Sequence, residues 1–79
     1  MEFIWESLNT AHVARHGITP DLTEKIVDEG QSNARPAKYR NRYAFEATIN
    51  DRHYRAICDV SCDGAIYPVT AFPIRKRKQ

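Results

Sequence analysis

The spacing of apolar residues changes near residue 30, and this change constrains the fold more than any other feature of the sequence. In residues 7–30 the apolar side chains recur three or four positions apart, as in a helix packed on one face. In residues 43–60 they alternate with polar ones, as in a strand with one buried face. This order predicts an α+β fold, with two N-terminal helices packed on a small antiparallel β-sheet. The 79 residues suit a single domain, residues 1–79.

Capping residues predict where the two helices begin and end. Ser7 is a candidate N-cap for the first helix, and Gly17 follows its last turn. Thr19-Pro20 predicts the start of the second helix, because threonine is a good cap and a proline at the first helical position needs no amide donor. Gly30 is the predicted stop. The residues expected to share one face of the first helix are Leu8, Ala11, His12, Arg15 and His16.

Three strands are predicted after the helices. Residues 43–49 and 54–60 alternate in the same way on either side of the turn pair Asn50-Asp51, which predicts a β-hairpin. Residues 65–74 are apolar on both faces, so Pro68 is expected at a bulge or on a side without a ladder partner. Two segments are left open: residues 31–38 as a loop or an edge strand, and Phe3-Ile4-Trp5 as a brief strand or a packing anchor.

Composition predicts a cytoplasmic protein without a membrane partner. No apolar run approaches the roughly 18 residues of a membrane span. The opening MEFIWESL carries two glutamates where a signal peptide needs positive charge. The 2 cysteines are too few for a disulfide scaffold, and we expect Cys58 to be a buried small hydrophobe and Cys62 an incidental turn thiol.

The sequence predicts neither a metal nor another cofactor. His12 and His16 are four residues apart on the first helix, a spacing that can chelate zinc. The zinc-protease motif has a glutamate after the first histidine, whereas this chain has Val13. We therefore expect one histidine to pack against the sheet and the other to cap the helix end.

Charge is distributed unevenly along the chain. Residues 1–34 carry two basic and six acidic side chains, a net charge of −4, and residues 35–79 carry ten basic and four acidic ones, a net charge of +6. A basic half favours a polyanionic partner, most simply nucleic acid, although an acidic protein would also fit.

Basic residues with aromatic neighbours form a candidate RNA site. They are Arg35, Lys38, Tyr39, Arg40, Arg42, Tyr43, Arg52, His53, Tyr54 and Arg55. We expect the hairpin to bring both segments to one end of the sheet, where guanidinium groups bind phosphates and rings stack on bases. The alternative is a solvated edge, since exposed strands carry arginine to block edge pairing. The predicted RNA-binding residues are Lys38, Tyr39, Arg40, Tyr54, Arg75 and Arg77.

Cleavage of RNA without a metal needs a base, a cation for the phosphorane charge, and an acid for the departing oxygen. His53 has the side chain best suited to proton transfer near neutral pH, and arginines supply the charge. Strand alternation predicts that Glu46, His53 and Arg55 share the face of the sheet that lacks helices. The predicted catalytic residues are Arg42, Arg52, His53 and Arg55.

Short motifs in a fixed order extend over nearly the whole chain. They are Phe3-Ile4-Trp5, Asn9 and His12, Arg15-His16-Gly17-Ile18-Thr19, Gly30, Arg40 to Tyr43, Thr48 with Asp51-Arg52, and Tyr67-Pro68-Val69-Thr70-Ala71. In this order and spacing the chain resembles the BrnT-type toxins of bacterial type II toxin-antitoxin modules, which are relatives of the RelE-like ribonuclease toxins.

The resemblance implies a RelE-like fold and a metal-independent endoribonuclease that inhibits translation by cutting mRNA, free or on the ribosome. It also implies a cognate antitoxin protein, with promoter DNA bound only through that antitoxin. By position, Arg40 or Arg42 matches the basic residue before the first long strand of the family. Arg52 matches the arginine after the hairpin turn, and His16 matches the histidine of the HG signature.

One departure from the family pattern supports a second interpretation. Many members have arginine directly after the Ser/Thr-Ala pair, where this chain has Phe72, and it also lacks the acid that often follows in the tail. Two expectations follow: Arg75 or Arg77 supplies the missing charge, or the catalytic set is reduced. The alternative function is a non-catalytic binding module of the same fold, which holds RNA or an acidic partner protein.

Overall fold

A computed structural model describes residues 2–75 of the chain. The elements in chain order are β1 Glu2–Phe3, α1 Ser7–Ala14, α2 Pro20–Glu29, a 3₁₀ turn Gln31–Asn33, β2 Arg35–Pro36, β3 Arg42–Ile49, β4 Arg52–Val60 and β5 Ala65–Pro73. The described residues form an α+β structure of two helices and a five-stranded sheet, in agreement with the predicted fold class. Among residues 2–75, no helix has the length and apolar character needed to cross a bilayer.

The sheet has the strand order β1-β5-β4-β3-β2 and is mixed. Every neighbouring pair is antiparallel except β1 and β5, which run parallel with Glu2 opposite Ala65 and Phe3 opposite Ile66. The prediction of an antiparallel sheet is therefore wrong at this edge. Parallel neighbours need a long connection, and here the helices and the other strands form it. Residues 35–36 form the short edge strand that the sequence left open.

The hairpin and the proline bulge are confirmed. Asn50 and Asp51 have φ angles of 52° and 66°, the left-handed pair that a two-residue hairpin turn requires. In β5, Pro68 lies opposite Cys58 beside a register shift that leaves one extra residue between Pro68 and Thr70. The bulge accommodates a residue without an amide donor inside a long strand.

Helix α2 begins and ends as predicted. The Thr19 hydroxyl accepts a hydrogen bond from the Leu22 amide at 3.1 Å and so caps the first turn. At the other end a Cβ on Gly30 would lie 2.8 Å from the carbonyl oxygen of Glu46 and 2.9 Å from its amide nitrogen. The absence of a side chain at Gly30 therefore lets the end of α2 contact the backbone of β3.

Helix α1 differs from its prediction in both its cap and its buried face. Its N-cap is Glu6, one residue before the predicted Ser7. The buried residues are Asn9 and Val13, whereas Leu8, assigned to the packed face, is 65% exposed. The helix turns this face to the sheet because Asn9, a polar side chain, makes buried hydrogen bonds there. A prediction from the spacing of apolar residues therefore selected the wrong face.

The core lies between the helices and one face of the sheet. Its buried apolar side chains are Val13, Ile18, Ile26, Val27, Phe45, Ile49, Tyr54, Ala56, Cys58, Ile66 and Ala71. Cys58 is fully buried and Cys62 is exposed, and both thiols are free, as predicted. Strand alternation leaves Ala44, Glu46 and Thr48 of β3 on the opposite side, which we call the open face.

Candidate nucleic-acid interface

The register of the hairpin decides which polar residues share the open face. Glu46 lies opposite Arg55, and Thr48 lies opposite His53. Directly opposed residues of antiparallel strands project to the same side, so all four side chains are on the open face. The expectation that Glu46, His53 and Arg55 share this face is confirmed.

The Glu46 carboxylate holds two guanidinium groups together. Its Oε2 lies 2.8 Å from Nη2 of Arg35, 2.8 Å from Nε of Arg55 and 2.6 Å from Nη2 of Arg55. Strand β2 supplies Arg35, which lies opposite Ala44. Two cations share one anion, so the group keeps a net positive charge, and the Arg35 side chain is 64% exposed. We call Arg35, Glu46 and Arg55 the arginine bridge.

His53 lies one row nearer the hairpin turn, with its ring fixed by a neighbour. Its Nδ1 is 2.6 Å from the Thr48 hydroxyl. With Nδ1 engaged by Thr48, proton exchange with a substrate would take place at Nε2. A cleft of about 200 Å³ has His53, Thr48 and Glu46 of the arginine bridge in its lining, together with Asn33.

Two further basic residues lie on the other side of His53. A second cleft, of about 310 Å³, is lined by Arg52, His53 and Arg75 among others. Arg52 lies opposite the buried Ile49, so the register places it on the side opposite Arg55. The structure therefore groups Arg52, His53 and Arg75 around the hairpin end, with Arg55 in the next row rather than beside Arg52.

Arg42 is at the other end of the sheet, and its predicted place beside His53 is wrong. Antiparallel pairing puts Arg42 opposite Asp59. Arg42 is four residues along β3 from Glu46, or roughly 13 Å at about 3.3 Å per residue. Its Nε and Nη2 donate to the two Asp59 carboxylate oxygens at 2.7 and 3.1 Å. The hydrogen bond to Asp59 raises the pKa of Arg42, and burial opposes the shift only in part. Arg42 is thus one half of an ion pair.

Lys38, Tyr39 and Arg40 lie near Arg42 and not near the hairpin turn. The Tyr39 ring is 57% exposed, with Cζ of Arg42 4.9 Å and Nζ of Lys38 5.8 Å from its centroid. The expectation that both basic segments meet at one end of the sheet is wrong, because the start of β3 and the start of β4 are at opposite ends of an antiparallel hairpin.

Tyr54 contributes little exposed surface to the site. It is only 8% exposed and packs in the core, and the part that stays accessible lines the cleft beside His53. Alternation explains its burial, since Tyr54 and the buried Ala56 point to the same side of β4. Its predicted contact with RNA stays a prediction. Arg77, also predicted to bind RNA, lies outside the described residues. Phe72 lies opposite Arg55 and meets the His16 ring edge-on, with centroids 5.8 Å apart.

His12 of α1 and His16, two residues beyond its end, have separate structural partners. Nδ1 of His12 is 3.2 Å from the Val69 carbonyl, so this histidine packs against β5 as expected for one of the pair. His16 contacts Phe72, a packing role in place of the predicted cap. Within residues 2–75 no group of three or more histidine, cysteine or acidic side chains is arranged to hold a metal ion.

Sequence reasoning missed the role of Arg35 within this site. It was recognised as part of the basic cluster, but β2 is only two residues long and gave no strand pattern. The one usable signal was Glu46, the only acid inside β3, which needed a cation nearby.

Comparison with known proteins gave no further assignment. A scan against family models, a search of curated proteins and a search of solved structures each found no match. The resemblance to BrnT-type toxins therefore depends on the sequence motifs alone and stays a prediction.

Proposed function

We propose that this chain is a BrnT-like, RelE-like ribonuclease toxin that cuts mRNA without a metal and so inhibits translation. The observation that carries the proposal is the position of His53 between two basic groups. The arginine bridge lies on one side of it, and Arg52 and Arg75 line a cleft on the other. A polyanion bound at the hairpin end would meet positive charge on both sides of a proton-transfer group.

The proposed reaction is an internal transesterification of the RNA backbone. His53 accepts the 2′-hydroxyl proton at Nε2, while the Thr48 hydroxyl keeps the ring oriented through Nδ1. The 2′-oxygen attacks the adjacent phosphorus, and the bond to the 5′-oxygen breaks. The imidazolium then returns a proton to the departing oxygen. The products are a 2′,3′-cyclic phosphate and a 5′-hydroxyl.

The arginine bridge has two roles in this scheme. Arg35 and Arg55 stabilise the negative charge that develops on the phosphorane oxygens, because their combined charge exceeds that of Glu46. Glu46 acts as a positioning residue, since its carboxylate fixes both guanidinium groups before the substrate arrives. A preorganised pair of cations needs little rearrangement during the reaction.

The proposal includes the partners that the family resemblance implies. A cognate antitoxin covers the basic open face in the cytoplasm and blocks RNA, and promoter DNA is bound only through that antitoxin. The net charge of +6 on residues 35–79 supports an acidic covering segment.

A second candidate function is a binding module of the same fold that holds RNA without cutting it. Phe72 favours this alternative, because it places an apolar ring opposite Arg55 where many family members have arginine. Arg42, a predicted catalytic cation, is paired with Asp59 at the other end of the sheet. The hairpin end therefore lacks its charge.

The test is cleavage of a labelled RNA by the purified protein in EDTA, with His53→Ala, Arg55→Ala and the helix-side control Lys25→Ala. We expect the parent and the control to release fragments with cyclic phosphate ends, and His53→Ala to be at least about 100-fold slower. When the same variants are induced in a bacterial host, new RNA 5′ ends should appear with the parent and the control and be largely absent with His53→Ala. Full activity of His53→Ala would refute the mechanism. RNA retained without scission would establish the binding module.

A further inference from the structure

A cleft of about 380 Å³ lies at the end of the sheet away from His53. Its lining includes two tyrosines, Tyr39 and Tyr67, the ion pair of Arg42 with Asp59, and Ile4. The proposed cleavage reaction uses none of these side chains. We call this site the tyrosine cleft.

Tyr39 offers a flat surface that is already arranged for stacking. Tyr39 is 57% exposed, and the guanidinium carbon of Arg42 lies over its ring, 4.9 Å from the centroid. The Arg42 guanidinium is itself held by Asp59 at 2.7 and 3.1 Å, so its position does not depend on a ligand. Aromatic rings and guanidinium planes are the two protein surfaces on which unstacked nucleobases bind.

Polar groups in the same cleft suit the edge of a base. Asp59 keeps a 41% exposed side chain while bound to Arg42, and a carboxylate has lone pairs for further donors. The Tyr67 hydroxyl donates to the Glu6 carboxylate at 3.1 Å, which fixes the second ring that lines the cleft. A ligand with a flat ring and N–H groups along its edge would stack on the ring of Tyr39 and donate hydrogen bonds to Asp59.

Charge decides between RNA and a protein as the occupant. Lys38 and Arg40 are exposed beside Tyr39, so a phosphate attached to the ligand would meet positive charge next to the stacking surface. An acidic peptide would use the charge but leave the tyrosine surface without a flat partner. Single-stranded RNA provides the ring and the phosphate in one unit.

We propose that the tyrosine cleft binds a nucleobase of single-stranded RNA, stacked on Tyr39 with its edge toward Asp59. The site is about four residues along the strands, or roughly 13 Å, from the arginine bridge. It therefore holds a nucleotide that lies a short distance along the RNA from the phosphate that is cut. The inference rests on the proposed function for the choice of RNA, and it adds a base-binding subsite separate from the reaction.

The experiment measures binding of a fluorescein-labelled 2′-O-methyl RNA octamer, which lacks the hydroxyl needed for cleavage. An abasic octamer of the same charge is the matched ligand. We expect Tyr39→Ala to bind the base-bearing octamer roughly tenfold more weakly and the abasic one unchanged. Tyr39→Phe should stay within about twofold of the parent, because it keeps the ring. Leu8→Ala, which removes an exposed apolar side chain from α1, is the control.

Three results would overturn the inference. The first is equal affinity of the parent for the two octamers, and the second is unchanged RNA binding by Tyr39→Ala. The third is a poly-glutamate peptide that binds in a Tyr39-dependent way while RNA does not, which would make the cleft a protein site. Because the octamer cannot be cut, Tyr39-dependent binding by a chain without nuclease activity would refute the proposed reaction and leave this subsite standing.

Discussion

Asn9 is the polar side chain on which the packing of α1 against the sheet depends, and replacing it with alanine gives the sharpest stability prediction. Its amide nitrogen donates to the carbonyls of Ile4 and Pro68 at 3.0 and 2.9 Å, and its Oδ1 accepts from the Glu6 amide at 2.7 Å. The side chain is 1% exposed. It therefore connects the residue after β1, α1 and β5 through a side chain that is itself shielded from water.

The expected loss follows from these three bonds. Leaving the buried Pro68 carbonyl without this donor costs about 1–3 kcal/mol, and each of the two part-buried bonds contributes about 1 kcal/mol. The free energy of unfolding of Asn9→Ala should fall by about 4 kcal/mol. In a domain of this size that corresponds to a melting temperature lower by roughly 25 °C.

Asn33→Ala is the matched control, because it removes the same side chain from an exposed site. Asn33 makes two hydrogen bonds with the Glu46 backbone, at 2.9 and 3.1 Å, and water can replace both. We expect it to cost under about 1 kcal/mol. Urea unfolding followed by the fluorescence of Trp5, the only tryptophan, measures both variants. A difference between them below about 1 kcal/mol would refute the argument that burial sets the cost.

Four further outcomes are expected. Gly30→Ala should lower the free energy of unfolding by about 2 kcal/mol in urea titrations, because its Cβ would meet the Glu46 backbone, and an unchanged midpoint would contradict this contact. Thr19→Ala should cost about 1 kcal/mol by the same measurement, since it removes the α2 cap. Burial raises the pKa of Cys58 to about 12, so iodoacetamide at pH 8.5 should label Cys62 alone in the folded protein, as mass spectrometry of the peptides would show. The same shift predicts that stability falls as pH rises above 9.0, with a smaller slope in Cys58→Ala.

Features set by neighbouring residues could be predicted from the sequence. Thr19-Pro20 and Gly30 marked the ends of α2, and the turn Asn50-Asp51 marked the hairpin, because each signal acts within a few residues of its effect. The faces of β3 and β4 followed from alternation once the turn was fixed. For this reason the amino-acid sequence alone was enough to place Glu46 and Arg55 on one face.

Features that depend on distant pairing could not be predicted in the same way. The pairing of Arg42 with Asp59 is an exception, because it follows from counting along both strands from the predicted turn. The parallel pairing of β1 depends on residues more than sixty positions away, and a two-residue strand has no period to read. The face of α1 was misjudged because the residue that fixes it, Asn9, is polar. Hydrophobic spacing carries no information about such a position.

The parallel pair of β1 and β5 ties the order of folding to the order of synthesis. Glu2 and Phe3 are made before the other described elements, but their partners Ala65 and Ile66 belong to the last described strand. The hairpin of β3 and β4 can close while β5 is still being made, whereas one edge of the sheet must wait for it. A nascent chain that stops before residue 65 would keep Phe3 without its strand partner. The edge formed by β1 and β5 therefore closes only after β5 has been made.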